Sequence, residues 1–290
     1  MKLKKNNQLG EIDPLETLSG KIVHIQNNYC LDSPSVNSSH QFIEELIHFL
    51  FPIKDNKRLN DEETHFKLKE LVSRLETLLK PLEANMKGSA AQLAIDFFHA
   101  LPPVYDDLLE EADAYLKLDP AAWSVEEVIL CYPGFFAIAV YRLAHILYKM
   151  QIPLLPRLIA EYAHSKTGID INPGASIGKK LFIDHGTGVV IGETTEIGNN
   201  VKIYQGVTLG ALHVEKGLSK TKRHPTIDDN VIIYAGSTIL GGSTLVGHDT
   251  VIGGNVWLTH SVEPHTIVYR QPKMHFRSAK GNQETLDFVI

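Results

Sequence analysis

His185 is the residue of this 290-residue chain whose setting is best suited to chemistry. It stands in the run Asp184-His185-Gly186-Thr187-Gly188. An imidazole with an ordinary pKa near 6.5 suits removal of a proton from a hydroxyl nucleophile at neutral pH. Asp170 lies fifteen residues earlier and is the carboxylate expected to hold that imidazole in one tautomer. Arg223 offers a planar fork for a bidentate grip on a carboxylate, with His224 beside it. The chain has 14 histidines, so a solvated or core role is the starting assumption for those outside such runs. Cys30 and Cys131 form neither a disulfide framework nor a metal knuckle. A reducing cytoplasm is therefore the expected setting.

The elements that must position these residues differ between the two halves of the chain. After about residue 165 the period is six: Ile171, Ile177 and Ile183, then after a two-residue shift Ile191, Ile197, Ile203 and Leu209. Beyond a polar interruption it resumes at Ile227, Ile233, Ile239, Leu245, Val251 and Trp257. Small side chains often precede these by two, as at Ala175, Thr195, Val201 and Ser237. This pattern predicts a parallel β-helix in which three hexads make a triangular coil and the aliphatic residues fill its interior. Coils stack at about 4.8 Å, so each needs a neighbour to bury its centre. Asp170 falls three residues short of a full coil from His185, which predicts the same corner one coil away. Segment 211–223 is too long and unpatterned for a coil and reads as an extruded loop, whose Lys216, Lys220 and Lys222 are candidates for attracting phosphate.

The first half carries apolar stripes at helical spacing, such as Phe42, Ile43, Leu46, Ile47 and Leu50, punctuated by Pro81, Pro102, Pro103, Pro120 and Pro153. The pattern predicts about six helices in a bundle. The expected organisation is an α-helical domain over 1–165, with 1–38 an irregular arm, then a β-helix over 166–271 and a flexible tail over 272–290.

Several runs make the sequence similar to the serine O-acetyltransferases, acyltransferases with a left-handed β-helix. They are DINPGASIG from Asp170, FIDHGTGVVIGETTEIG from Phe182, VTLG from Val207, RHPTI from Arg223, LDPA at 118–121 and YPGFFAIAVYRLAH at 132–145. The resemblance implies the left-handed sense of the coil, which periodicity alone does not give. It implies His185 and Asp170 as a catalytic dyad, and Asp119, Asp184, Arg223 and His224 as serine-binding residues. Gly210, Ala211 and Ala235 fall on the implied path of acetyl-CoA, a co-substrate rather than a permanently held cofactor. Ala211 departs from the family's usual second glycine. Glu193 matches the pattern too, but reads equally as a solvent-facing corner residue. Direct attack within a ternary complex is implied, as are a homotrimer or dimer of trimers with sites between subunits, and cysteine as feedback inhibitor. A terminal isoleucine, here Ile290, implies docking to O-acetylserine sulfhydrylase.

Composition bounds the alternatives. With 28 basic and 34 acidic residues and no basic stripe, nucleic acid is not an expected partner. The apolar stretch 128–148 contains Pro133, Gly134, Arg142 and His145, so no membrane span is expected. Competing readings are a hexapeptide acyltransferase for a sugar or antibiotic hydroxyl, a zinc carbonic anhydrase using His185, His213 and His224, and a non-catalytic scaffold.

Overall fold

The computed structural model describes residues 13–29, 33–53, 59–212 and 221–271. Eight α-helices come first among them: α1 (Pro14–Tyr29), α2 (Val36–Leu50), α3 (Asp61–Leu79), α4 (Ala90–His99), α5 (Leu101–Leu118), α6 (Val125–Cys131), α7 (Pro133–Lys149) and α8 (Leu155–Thr167). Side-chain caps fix several starts. Ser35, Ser89 and Ser124 each accept a backbone N–H of the first turn, and Asn60 with Glu63 forms a reciprocal capping box. Pro102 and Pro133 lie inside the first turns of α5 and α7, where a missing N–H costs nothing. Those prolines therefore start helices rather than separate them, and the bundle has more and shorter helices than the six expected. Residues 14–29 correct the expectation of an irregular arm: they form α1. Its short stripe of Leu15, Leu18, Ile22 and Ile25 stays exposed, which explains why the sequence signal there is weak.

The second half is a left-handed parallel β-helix. Its first face stacks β1 (Asp170–Ile171), β4 (Val190–Ile191), β7 (Thr208–Gly210), β10 (Thr238–Leu240) and β13 (Trp257–Leu258). The second face stacks β2 (Ser176–Ile177), β5 (Glu196–Ile197), β8 (Thr226–Ile227) and β11 (Leu245–Val246). The third stacks β3 (Phe182–Asp184), β6 (Lys202–Tyr204), β9 (Ile232–Ile233), β12 (Val251–Ile252) and β14 (Ile267–Val268). Register places like on like: Ile171 under Ile191 under Leu209 under Ile239, and Ile183 under Ile203 under Ile233 under Ile252.

The late hexads are displaced by one residue from the expected register. Leu245 and Trp257 point outward, 41% and 70% exposed, while Val246 and Ile252 are fully buried. Val246 stacks on Ile227 because the turn Gly241-Gly242-Ser243-Thr244 holds one extra residue. Thr244 then occupies the small inward slot expected for Ser243, donating its hydroxyl to the Leu240 carbonyl at 2.6 Å.

The helical half closes the open end of the coil. An unpaired strand edge exposes backbone donors and acceptors that must find partners. The Tyr115 hydroxyl, fully buried, accepts the Ile183 N–H at 2.8 Å and donates to the Ile183 carbonyl at 3.2 Å. Tyr141 donates to the Ala175 carbonyl at 2.6 Å, and Arg142 to those of Ile177 and Gly178 at 3.3 and 2.6 Å. Arg142 also neutralises the fully buried Glu111. Gly134 presses so closely on β3 that a Cβ there would meet the Ile183 carbonyl oxygen at 2.2 Å. The strand leading to His185 is thereby anchored to α5 and α7. No single described helix is long and apolar enough to cross a membrane, and the apolar α6–α7 pair is bent by 75°.

Candidate functional site

Each coil turns three corners, here termed upstream (third face to first), downstream (first to second) and remote (second to third). The remote corner keeps the hexad without exception, from Ile177 to Ile183, Ile197 to Ile203, Ile227 to Ile233 and Val246 to Ile252. The other two break it, and both breaks hold candidate residues. At the upstream corner eight residues separate Ile183 from Ile191, where six separate Ile203 from Leu209. The added length lifts His185 out on a left-handed backbone, φ 55°, followed by Gly186 at φ 80°. Histidine tolerates that region better than most residues, though at a cost, and such backbone outliers concentrate at functional sites.

The exposed His185 directs Nε2 toward the Asp184 carboxylate, 3.8 Å away. Asp119, capping the end of α5, lies in the same neighbourhood and is stabilised as a carboxylate partly by the His185 charge. Its Oδ2 accepts the Tyr132 hydroxyl at 2.6 Å and its Oδ1 the Ala121 N–H at 2.8 Å. Those two bonds, the Tyr132 one foremost, hold the Asp119 pKa below the usual carboxylate value. The same bond pushes the Tyr132 hydroxyl up to about 12, so it remains a donor. Tyr204, one coil above Asp184, is raised by burial and by the charges of Tyr234, Asp184 and Asp119. A compact acidic cluster beside an imidazole results, suited to gripping an ammonium group.

Asp170 departs from expectation. It sits one coil below the His185 corner, stacked under Val190, as the fifteen-residue spacing predicts. Yet its charge partner is Arg157 of α8, at 3.4 Å, and among the described residues the carboxylate within ion-pair distance of His185 is that of Asp184. The reason is local: α8 runs directly into β1 through Gly168, so Arg157 reaches the Asp170 side chain first.

The downstream corner gathers a second cluster. Arg223 pairs with Glu193, which also accepts the Tyr148 hydroxyl at 3.3 Å. The His224 ring packs on Gly192, where a Cβ would lie 2.1 Å from its Cδ2. Burial, with the Arg223 charge next, brings the His224 pKa down to about 4, so the ring is neutral at pH 7. Lys222, a candidate for phosphate attraction, instead donates to the Thr194 carbonyl at 2.8 Å and pairs with Glu196 at 3.1 Å. Lys216, Lys220, His213 and the Ile290 tail lie outside the described residues.

The two clusters flank β4, one before it and one after it. The implied acetyl-CoA residues divide in the same way: Gly210, directly above Gly192, ends β7 and Ala211 follows it, whereas Ala235 lies on the upstream column, where its carbonyl accepts the Asn255 N–H at 2.9 Å. A cleft of about 840 Å³ between α2 and α3, lined in part by Glu45, Phe49 and Phe66, contains none of these residues. Sequence reasoning did not single out Tyr132, Thr194, Tyr148 or Arg157. The first two lie inside the matching runs YPGFFAIAVYRLAH and FIDHGTGVVIGETTEIG, with nothing in either run to show what they would touch.

Comparison with known proteins supplies the family. No protein-family model matches the chain. The plasmid serine acetyltransferase of Synechococcus elongatus is 49% identical over 184 residues, which are 62% of this chain and 57% of that protein's length. The serine acetyltransferase of Bacillus subtilis is 50% identical over 161 residues, 56% of this chain and 72% of its own length. The solved structure of Entamoeba histolytica serine acetyltransferase 1 in complex with L-cysteine has a TM-score of 0.71 at 37% identity, covering 82% of this chain and 87% of that one. With half the aligned residues identical across nearly three-quarters of the Bacillus protein, and a matching succession of helices and coils, the chain belongs to the serine acetyltransferase family.

Proposed function

We propose that this chain transfers the acetyl group of acetyl-CoA to the hydroxyl of L-serine, giving O-acetyl-L-serine and coenzyme A, the first step of cysteine biosynthesis. The observation that carries this reading is His185, raised out of the hexad with Nε2 toward Asp184 and the Asp119–Tyr132 pair close by. Nε2 takes the serine hydroxyl proton as the oxygen attacks the thioester carbonyl. Asp184 stabilises the imidazolium that forms. Asp170, one coil below, is assigned to holding the ring's orientation. Collapse of the tetrahedral intermediate expels the thiolate of coenzyme A, which takes the proton back from His185.

Asp119 and Asp184 hold the ammonium group of serine, and Arg223 and His224 its carboxylate. Because these two sets flank β4, one site takes the upstream corner of one subunit and the downstream corner of its neighbour. The assembly is accordingly a homotrimer, or two trimers joined through their helical halves. Gly210, Ala211 and Ala235 line the acetyl-CoA path in the same scheme, and no permanently held cofactor is required. The L-cysteine bound to the Entamoeba relative supports cysteine as an inhibitor competing at the serine site. A cytoplasmic setting and docking of Ile290 to O-acetylserine sulfhydrylase complete the reading, on the strength of the sequence alone.

The test is coenzyme A release from acetyl-CoA and L-serine, followed with a thiol reagent, beside His185→Ala and with homoserine or a galactoside in place of serine. Serine-dependent release that falls at least about a hundredfold in the variant is expected. Release with another acceptor but not serine would overturn the substrate assignment.

A further inference from the structure

His224 is held by one residue, Thr194, through every hydrogen bond its ring makes among the described residues. The Thr194 backbone N–H points at Nδ1 at 3.1 Å, and the Thr194 Oγ lies 2.9 Å from the same atom. A backbone N–H can only donate, so Nδ1 must carry a lone pair and no proton. The direction of the Oγ contact is then fixed by elimination. Oγ already accepts two N–H groups, from Arg223 at 2.9 Å and His224 at 3.1 Å. A hydroxyl has two acceptor positions and one hydrogen, so its hydrogen is the part left to face Nδ1. With Nδ1 accepting on both counts, the single proton of the neutral ring resides on Nε2, which makes no other hydrogen bond among the described residues.

We propose that Thr194 is a positioning residue that fixes His224 as a neutral Nε2–H donor for the carboxylate of the amino-acid substrate, and so bars it from acting as a base. This rests on the assignment of His224 to serine binding. The charged groups facing the ring are Arg223, Lys222 and Glu193, and burial together with the Arg223 charge keeps the ring unprotonated at pH 7. The two histidines of the proposed site are thereby divided. His185 is exposed, its Nε2 facing the Asp184 carboxylate at 3.8 Å, whereas His224 has its accepting nitrogen filled. Thr194 also threads Arg223 and His224 onto the corner through their own N–H groups, so a single hydroxyl sets the placement of both carboxylate ligands.

Two measurements on the full-length protein test the proposal. In the ¹⁵N spectrum of ring-labelled protein at pH 7, the His224 signals should show a bare Nδ1 and a protonated Nε2. Thr194→Val should raise the KM for serine about tenfold or more, the scale of a lost charge-assisted hydrogen bond. The KM for acetyl-CoA should stay within about twofold, and Thr194→Ser, which keeps the hydroxyl, should restore serine affinity. A His224 ring protonated on Nδ1 would overturn the proposal, as would unchanged serine affinity in Thr194→Val. An Nε2–H ring in a protein that turns over no serine would support the tautomer and overturn the substrate reading instead.

Discussion

The remote corner and the upstream corner of this β-helix make the same turn with different numbers of residues. At the remote corner the chain places Lys180, Asn200, Asn230, Asp249 and His265 in left-handed backbone one above another. Asn200 donates to Asn230 at 3.2 Å and Asn230 to Asp249 at 3.1 Å, so the column is tied by its own side chains. At the upstream corner the equivalent column is Gly168, Gly188, Gly206, Gly236 and Asn255, and the coil carrying His185 adds two residues to it. A regular corner uses its side chains to hold the stack. A lengthened corner frees a side chain from that duty and raises it clear of the prism, where it can meet another molecule. The downstream corner does likewise, with eighteen positions separating Leu209 from Ile227 and an extra residue at 241–244.

The sharpest way to break this contrast is Gly192→Ala at the downstream corner. The added methyl would have to occupy the space of the His224 ring, 2.1 Å from Cδ2, so the ring must move. Serine kcat/KM should fall by about a hundredfold or more, comparable with loss of an essential polar partner, while the coil remains folded by circular dichroism. A smaller effect is expected from Tyr132→Phe at the upstream corner. Loss of its hydrogen bond lets the Asp119 pKa rise. Since Asp119 must be ionised to hold an ammonium group, the acid limb of the kcat/KM profile for serine should move to higher pH, and serine KM at pH 7 should rise about three- to tenfold. An acid limb that stays in place would remove Asp119 from the serine site. Asn230→Ala at the remote corner should do least to function. It removes both ladder bonds and puts at φ 60° a residue that tolerates left-handed backbone less well than asparagine, costing about 1–2 kcal/mol in a denaturant titration. Turnover per folded molecule should be unchanged, and a loss there would dissolve the distinction between corner types.

Much of this was legible in the sequence, for a definite reason. A hexad reports burial of one residue in six, and burial is what the stacked coil enforces, so the hexad residues from Ile171 to Ile239 fall inside as the period requires, Ile177 only in part. The same rule misplaced Leu245, Val251 and Trp257, since a single extra residue in a glycine-rich turn leaves the composition of the hexad intact while rotating the later coils by one position. His185 could be singled out because it sits where the period fails. What it touches could not be read, because contacts such as Arg157 with Asp170 or Tyr132 with Asp119 join segments whose packing no local pattern encodes. The helix over 14–29 was hidden for a related reason: none of its described side chains is buried, so its sequence carries little of the periodicity that burial imposes.

The central claim is that the upstream corner of one subunit and the downstream corner of another make one site. Mixing two inactive variants tests it most directly: His185→Ala supplies an intact downstream corner and Arg223→Ala an intact upstream one. Co-expressed and purified together, they should assemble into mixed oligomers with serine-dependent turnover of about a quarter of the wild-type value, the share of interfaces pairing two intact corners in a random cyclic assembly. Mixed oligomers as inactive as either variant alone would contradict the account and return both clusters to a single chain.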